Sequence, residues 1–273
     1  MPAPIEFVRL DWCGREIQLE YQWVGKPDSH LPLVLFLHEG LGSLSMWKDF
    51  PETFCQAANC RGLVYSRPGY GQSTPRHPDE RWDVDFMHRQ AFEVLPAFLA
   101  TLEIDPLQQK LWLFGHSDGG SISLLYAARY PQALAGAIVL APHIMVEDLT
   151  ITSIEQAREI YQTTDLPKKL DRYHQDADSA FWGWNTIWLH PPFRAWSIEA
   201  ELVSIQCPLL AVQGLDDEYG SLEQIRGIAR RVSTAELLEI PACGHSPHRD
   251  QPKLLIIKAT DFIFRHTLGG ELV

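Results

Sequence analysis

Short runs of consecutive apolar residues alternate along this chain with longer stretches whose apolar positions recur three and four apart. LVLFL (33–37), GLVYS (62–66), LWLF (111–114), AIVL (137–140), LLAV (209–212) and AELLEI (235–240) have strand length. Several of them are apolar at every position, as parallel strands covered on both faces require. IEFVRL and EIQLEYQWV flank Gly14 and predict an opening hairpin. Helical spacing covers 45–58, 84–103, 117–130, 221–232 and 252–266. Strands alternating with helices predict an α/β fold, a mostly parallel sheet with helices on both faces.

From His143 to Gln206 the alternation stops. No strand is convincing there, and SIEQAREIYQ, LPKKLDRYHQD, DSAFWGWNTIWL and WSIEAELV read as short helices. An insertion at the carboxyl edge of a parallel sheet lies where ligands bind in such sheets. The expected organisation is therefore a core of residues 1–142 and 207–273 with a helical cap of 143–206. The insertion is rich in rings: Phe181, Trp182, Trp184, Trp188, Phe193 and Trp196. Such rings build small cores as readily as they line clefts. Trp182, Trp184 and Trp188 are the candidates for an apolar substrate face.

With 35 acidic against 23 basic side chains, the formal charge is −12. That sign opposes nucleic-acid binding and gives an anionic membrane nothing to attract. No apolar run reaches the length of a membrane span, and the opening MPAPIEFVRLDWCGREIQ carries no secretory-signal pattern. The five cysteines are scattered and form no C-x-x-C pair, so neither a disulfide framework nor a zinc site is expected. A reduced, cytoplasmic protein acting on a small molecule fits these features. The closing TLGGELV reads as a frayed end.

Chemistry concentrates in LFGHSDGGS (113–121), where Gly115-His116-Ser117-Asp118-Gly119 fits G-x-S-x-G after an apolar strand and before a helix. A serine hydroxyl needs a base within reach and a third group to orient that base. His245, in PACGHSPH beyond the last strand, is the base expected from the order serine, acid, histidine, with His248 as a neighbour of lesser claim. The acid comes from Asp216, Asp217 and Glu218 after the preceding strand, with Asp217 favoured and Asp216 the alternative. Oxyanion donors are expected from the backbone N–H of Asp118 and from Gly40 or Leu41 in LHEGLGS.

His38-Glu39-Gly40-Leu41-Gly42-Ser43, Ser66-Arg67-Pro68-Gly69-Tyr70-Gly71-Gln72-Ser73, the elbow, Gly214-Leu215-Asp216-Asp217 and Gly244-His245 together resemble the α/β-hydrolase superfamily. The resemblance implies an eight-stranded sheet, a helical cap after strand six, and a Ser117, His245, Asp217 triad working through an acyl-enzyme without metal or organic cofactor. Two positions depart from the pattern: Glu39 stands where a small residue is usual, and Asp118 where an apolar one is. Ser66 also replaces a commoner Asp. A carboxylate at 39 or 118 would suit a substrate ammonium, as in an amino-acid ester or amide. The leading expectation is a carboxylic ester hydrolase for a small or medium substrate with an apolar portion. Carbon–carbon bond hydrolysis of ring-fission products is an alternative within enzymes, and a ligand-binding sensor on the same fold is an alternative outside them.

Overall fold

The computed structural model describes residues 4–268; residues 1–3 and 269–273, the latter most of TLGGELV, lie outside the described residues. One eight-stranded sheet runs in the order β1-β2-β4-β3-β5-β6-β7-β8. Its strands are β1 (Glu6–Trp12), β2 (Arg15–Gly25), β3 (Leu33–Leu37), β4 (Arg61–Tyr65), β5 (Leu111–His116), β6 (Gly136–Leu140), β7 (Leu209–Gly214) and β8 (Ala235–Ile240). β2 pairs antiparallel with both β1 and β4, and every other pairing is parallel. Cys13 and Gly14, both at positive φ (55° and 70°), make the two-residue turn between β1 and β2.

The continuous apolar runs feed two separate cores. Leu33, Leu35 and Leu37 of β3 face one side with Leu111 and Leu113 of β5, while Val34, Phe36, Trp112 and Phe114 face the other. The second side is closed by α1 (Phe50–Ala58) and by a long carboxyl-terminal helix, through Phe54 and Phe262. The first is closed by α2 (Phe86–Arg89) and α3 (Leu95–Thr101), joined by a π-helical turn over Gln90–Val94, and by α4 (Asp118–Arg129).

Between β6 and β7 come α5 (Asp148–Thr163), α6 (Leu166–Leu170), α7 (Ala177–Trp188) and two 3₁₀ turns. Asp176 caps α7 by accepting from the Ser179 N–H at 2.8 Å. The buried rings of this insertion, Phe181, Trp184, Trp188, Phe193 and Trp196, are continuous with the first core. Most of the predicted ring cluster is therefore packing. The chain ends through α8 (Glu223–Ala229), α9 (Pro247–Asp250) and α10 (Pro252–Leu268). No helix among the described residues is long and apolar enough to cross a membrane.

The first turn of α4 lies directly against the end of β3. A Cβ on Gly119 would stand 2.1 Å from the Leu37 carbonyl oxygen and 2.7 Å from that of His38. Both obstacles are backbone, at and just beyond the end of a central strand, and neither side can yield cheaply. Gly119→Ala is expected to cost about 3 kcal/mol, read as a lowered denaturation midpoint with an unchanged m-value.

Candidate functional site

Every residue singled out for chemistry lies at the carboxyl ends of the parallel strands. Ser117 follows β5 with φ 52° and ψ −118°, a conformation that an L-residue holds only when its surroundings impose it. The imposition is local: the Ser117 N–H donates to the Leu140 carbonyl at 2.8 Å, and a Cβ on Gly115 would stand 2.2 Å from the Gly119 oxygen. Small residues before and after the serine let strand and helix meet at this angle, which turns the side chain out of the sheet edge.

His245 arrives on the loop after β8 and Asp217 on the loop after β7. The His245 Nε2 lies 3.0 Å from the Ser117 Oγ, and its Nδ1 lies 2.8 Å from the Asp217 Oδ1. A carboxylate only accepts, so Nδ1 carries the proton and Nε2 is left to accept from the serine hydroxyl. Burial alone would raise the Asp217 carboxyl, but the bond from His245 and the Tyr219 N–H outweigh it and leave the group below the ordinary aspartate value. Burial also disfavours the imidazolium of His245, yet Asp217, with Glu218 and Glu39 nearby, reverses that and raises its pKa above 6.5. Asp216 is exposed, and its backbone N–H donates to the Cys243 carbonyl. His248 is buried against Trp47 and His116, with ring centroids 4.7 and 4.9 Å away.

The loop after β3 makes a turn in which the Gly42 N–H donates to the Glu39 carbonyl at 3.0 Å. Among the described residues no protein acceptor takes the N–H of Gly40, Leu41 or Asp118. The Trp184 indole covers this loop so closely that a Cβ on Gly40 would stand 2.2 Å from its Nε1.

The two unexpected carboxylates, Glu39 and Asp118, already have cations beside them. The Asp118 carboxylate is fully buried, with its Oδ2 3.6 Å from the Arg67 Nη2 and its Oδ1 accepting from the Trp188 indole at 3.2 Å. Burial raises the Asp118 pKa, and Arg67 and Trp188 only partly offset this. The Glu39 carboxylate binds the Arg249 guanidinium at 3.0 Å and faces the His116 Nδ1 at 3.5 Å. As for the tryptophans, Trp188 is committed to Asp118 and Trp184 to the Gly40 loop. Trp182 borders an outer cleft of about 530 Å³ shared with Arg76, Trp82 and His190, a cleft that none of Ser117, Asp217 and His245 lines.

Three site residues had no signal of their own in the sequence. Glu20 of β2 accepts from the Ser66 hydroxyl at 2.5 Å and from the Gln72 N–H at 2.9 Å, which supplies from a neighbouring strand the carboxylate that position 66 lacks. His174, from the insertion, accepts from the Gly71 N–H at 2.9 Å and donates to the Leu41 carbonyl at 3.1 Å, so it ties the insertion to two core loops at once. His143, after β6, is buried between Trp188 and His245, with ring centroids 4.9 and 5.9 Å away. Its burial, reinforced by His245, lowers its pKa to about 3, so the ring is neutral throughout the physiological range.

Residues 34–258 match the model of the alpha/beta hydrolase family. A 2-succinyl-6-hydroxy-2,4-cyclohexadiene-1-carboxylate synthase of Enterobacter sp. (strain 638) is 24% identical over 256 residues, covering 84% of this chain and 89% of that protein. Among solved structures, an alpha/beta hydrolase fold protein from Chitinophaga pinensis superposes with a TM-score of 0.76 at 18% identity, covering 96% of this chain and 97% of that one. A thermophilic esterase from Thermogutta terrifontis gives 0.71 at 20% identity, covering 96% and 99%.

Proposed function

We propose that this chain, which belongs to the α/β-hydrolase family, is a serine hydrolase that cleaves carboxylic esters of small or medium size with an apolar portion. The observation that carries the reading is the unbroken line of hydrogen bonds from Asp217 through His245 to a Ser117 held at positive φ. In the reaction, the Ser117 Oγ attacks the ester carbonyl while His245 takes its proton, and the resulting imidazolium is stabilised by Asp217. The oxyanion is received by the N–H of Asp118 and by that of Gly40 or Leu41, donors with no competing acceptor among the described residues. His245 then returns the proton to the departing alcohol. Water, deprotonated by the same imidazole, releases the acid from Ser117.

Residues 143–206 act in this reading as a cap over a core of 1–142 and 207–273. Support comes from Trp184 on the oxyanion loop, Trp188 on Asp118 and His174 on Gly71 and Leu41. A site under such a cover excludes water and favours an apolar acyl group. Amino-acid esters fit less well, because the buried Asp118 is already opposed by Arg67.

The test is intact-mass labelling of the folded protein with a fluorophosphonate, alongside hydrolysis of 4-nitrophenyl esters from acetate to octanoate. One adduct per chain and a defined chain-length optimum are expected. A folded protein that takes no adduct and turns over no ester would replace this reading with a ligand-binding role on the same fold.

The pH dependence follows from His245. Below its pKa the imidazole is charged and cannot accept the serine proton, so activity falls on the acid side. Because neighbouring carboxylates raise that pKa, the acid limb of kcat/KM is expected to have its midpoint above 6.5. A midpoint below 6.5 in a pH–rate profile would mean that burial, and not the neighbouring carboxylates, dominates the surroundings of His245.

A further inference from the structure

We infer that Glu39 is a positioning residue, whose carboxylate clamps the oxyanion loop to the loop that carries His245. The inference rests on the triad reading above and adds to it a residue that touches no reacting atom. One Glu39 oxygen takes the Arg249 guanidinium of α9 at 3.0 Å, and the other faces the His116 Nδ1 at 3.5 Å. His116, at the end of β5, donates from Nε2 to the backbone carbonyl of His245 itself, at 2.7 Å. Glu39 therefore reaches the base loop through Arg249, four residues beyond His245, while His116 packs between the Glu39 carboxylate and the His245 backbone.

The backbone of Glu39 is fixed as firmly as its side chain. Its carbonyl accepts from the Arg67 Nη2 at 2.9 Å, from the His38 Nδ1 at 2.7 Å and from the Gly42 N–H at 3.0 Å. The next residue is Gly40, whose N–H is one of the proposed oxyanion donors. A rotation at Glu39 would move that donor relative to Ser117. Displacements of this kind, below an ångström, separate a preorganised oxyanion site from a loose one. A small residue in this position would leave His116 and Arg249 without the carboxylate between them, which accounts for a glutamate where the superfamily pattern has none.

The groups facing Glu39 are His116 from β5 and His248 and Arg249 from α9. Burial raises the Glu39 carboxyl, but these neighbours outweigh it and hold it well below the ordinary glutamate value. The groups facing His245 are Asp217 and Glu218 after β7, Glu39 after β3, His116 at the end of β5, Asp118 of α4, His143 after β6 and His248 of α9. Since the Glu39 charge favours the imidazolium, removing it shifts the His245 titration downward.

The experiment compares the parent with Glu39→Gln, Arg249→Met and the double variant, in kcat, KM and pH profile on one 4-nitrophenyl ester. Glu39→Gln is expected to lower kcat about tenfold with KM within about twofold, a loss confined to the transition state. Its acid limb should move to lower pH. Arg249→Met, on a half-exposed side chain that can be changed without disturbing the core, should lower kcat in the same direction. The double variant should lose less than the product of the single effects, because one clamp is broken only once. Unchanged kcat and an unmoved acid limb in both single variants, on a parent that takes the fluorophosphonate, would overturn the clamp and leave the triad standing. A rise in KM with kcat intact would also overturn it, by returning Glu39 to substrate binding. A parent that takes no label fails the triad reading before any variant is compared.

Discussion

Ser117→Ala is expected to abolish the fluorophosphonate adduct and to lower kcat on 4-nitrophenyl esters by about 10⁴-fold or more, with little change in melting temperature. The size of the loss follows from the absence of a substitute. The nearest hydroxyl along α4, that of Ser121, is committed to the His143 carbonyl at 2.6 Å. Alanine leaves His245 with no nucleophile to activate. What remains is the oxyanion site and substrate binding, which together still accelerate water attack by about 10³-fold. His245→Ala should lose about as much, since nucleophile and base act as a unit and removing either ends the same step. Intact-mass labelling and initial rates check both variants. An adduct retained on Ser117→Ala, or a rate within tenfold of the parent, would place the nucleophile elsewhere.

How far the sequence foretold this site depends on the distance over which each feature is encoded. β3 and β8 occur at the residues predicted, 33–37 and 235–240, because each apolar run specifies its own strand. The elbow was equally legible, since Gly115, Ser117 and Gly119 make their turn with one another. Where a local exception intervened, the helical reading was too simple. The stretch 45–58 divides into a 3₁₀ turn and α1, with Lys48 at φ 55° between them and Pro51 in the first turn of the new helix. The stretch 84–103 contains a π turn just ahead of Pro96, whose missing N–H interrupts the regular ladder.

Side-chain partnerships across the fold were not legible. Nothing near Ser66 announces that Glu20 of β2 will reach it, and nothing near Asp118 announces Arg67 or Trp188. The two out-of-pattern carboxylates left both a substrate ligand and a framework residue open, because a sequence shows a charge without its partner. Once the partners are in place, the same residues become parts of the framework: Asp118 joins the elbow to the insertion, and Glu39 joins one loop of the sheet edge to another.

Asp217→Asn is expected to lower kcat by about 10²- to 10³-fold, short of the about 10⁴-fold loss that accompanies a reversed histidine tautomer. The difference turns on which way the new amide faces. At present Oδ1 accepts from the His245 Nδ1 at 2.8 Å, from the Tyr219 N–H at 2.9 Å and from the Gly220 N–H at 3.3 Å. Among the described residues Oδ2 accepts only from the Gln213 Nε2 at 3.2 Å, an amino group whose two hydrogens are already matched by the Gly220 and Ser221 carbonyls at 2.7 and 3.1 Å. An NH₂ at the Oδ1 position would oppose every donor there, whereas at the Oδ2 position it displaces one shared contact. The amide oxygen therefore stays toward His245, and Nδ1 keeps its proton. What is lost is the negative charge that stabilises the imidazolium, so the His245 pKa falls and the acid limb of kcat/KM moves to lower pH along with the drop in kcat. A loss near 10⁴-fold would mean that the amide had turned, that Nε2 now carries the proton, and that Tyr219 and Gly220 do not hold the acid in place.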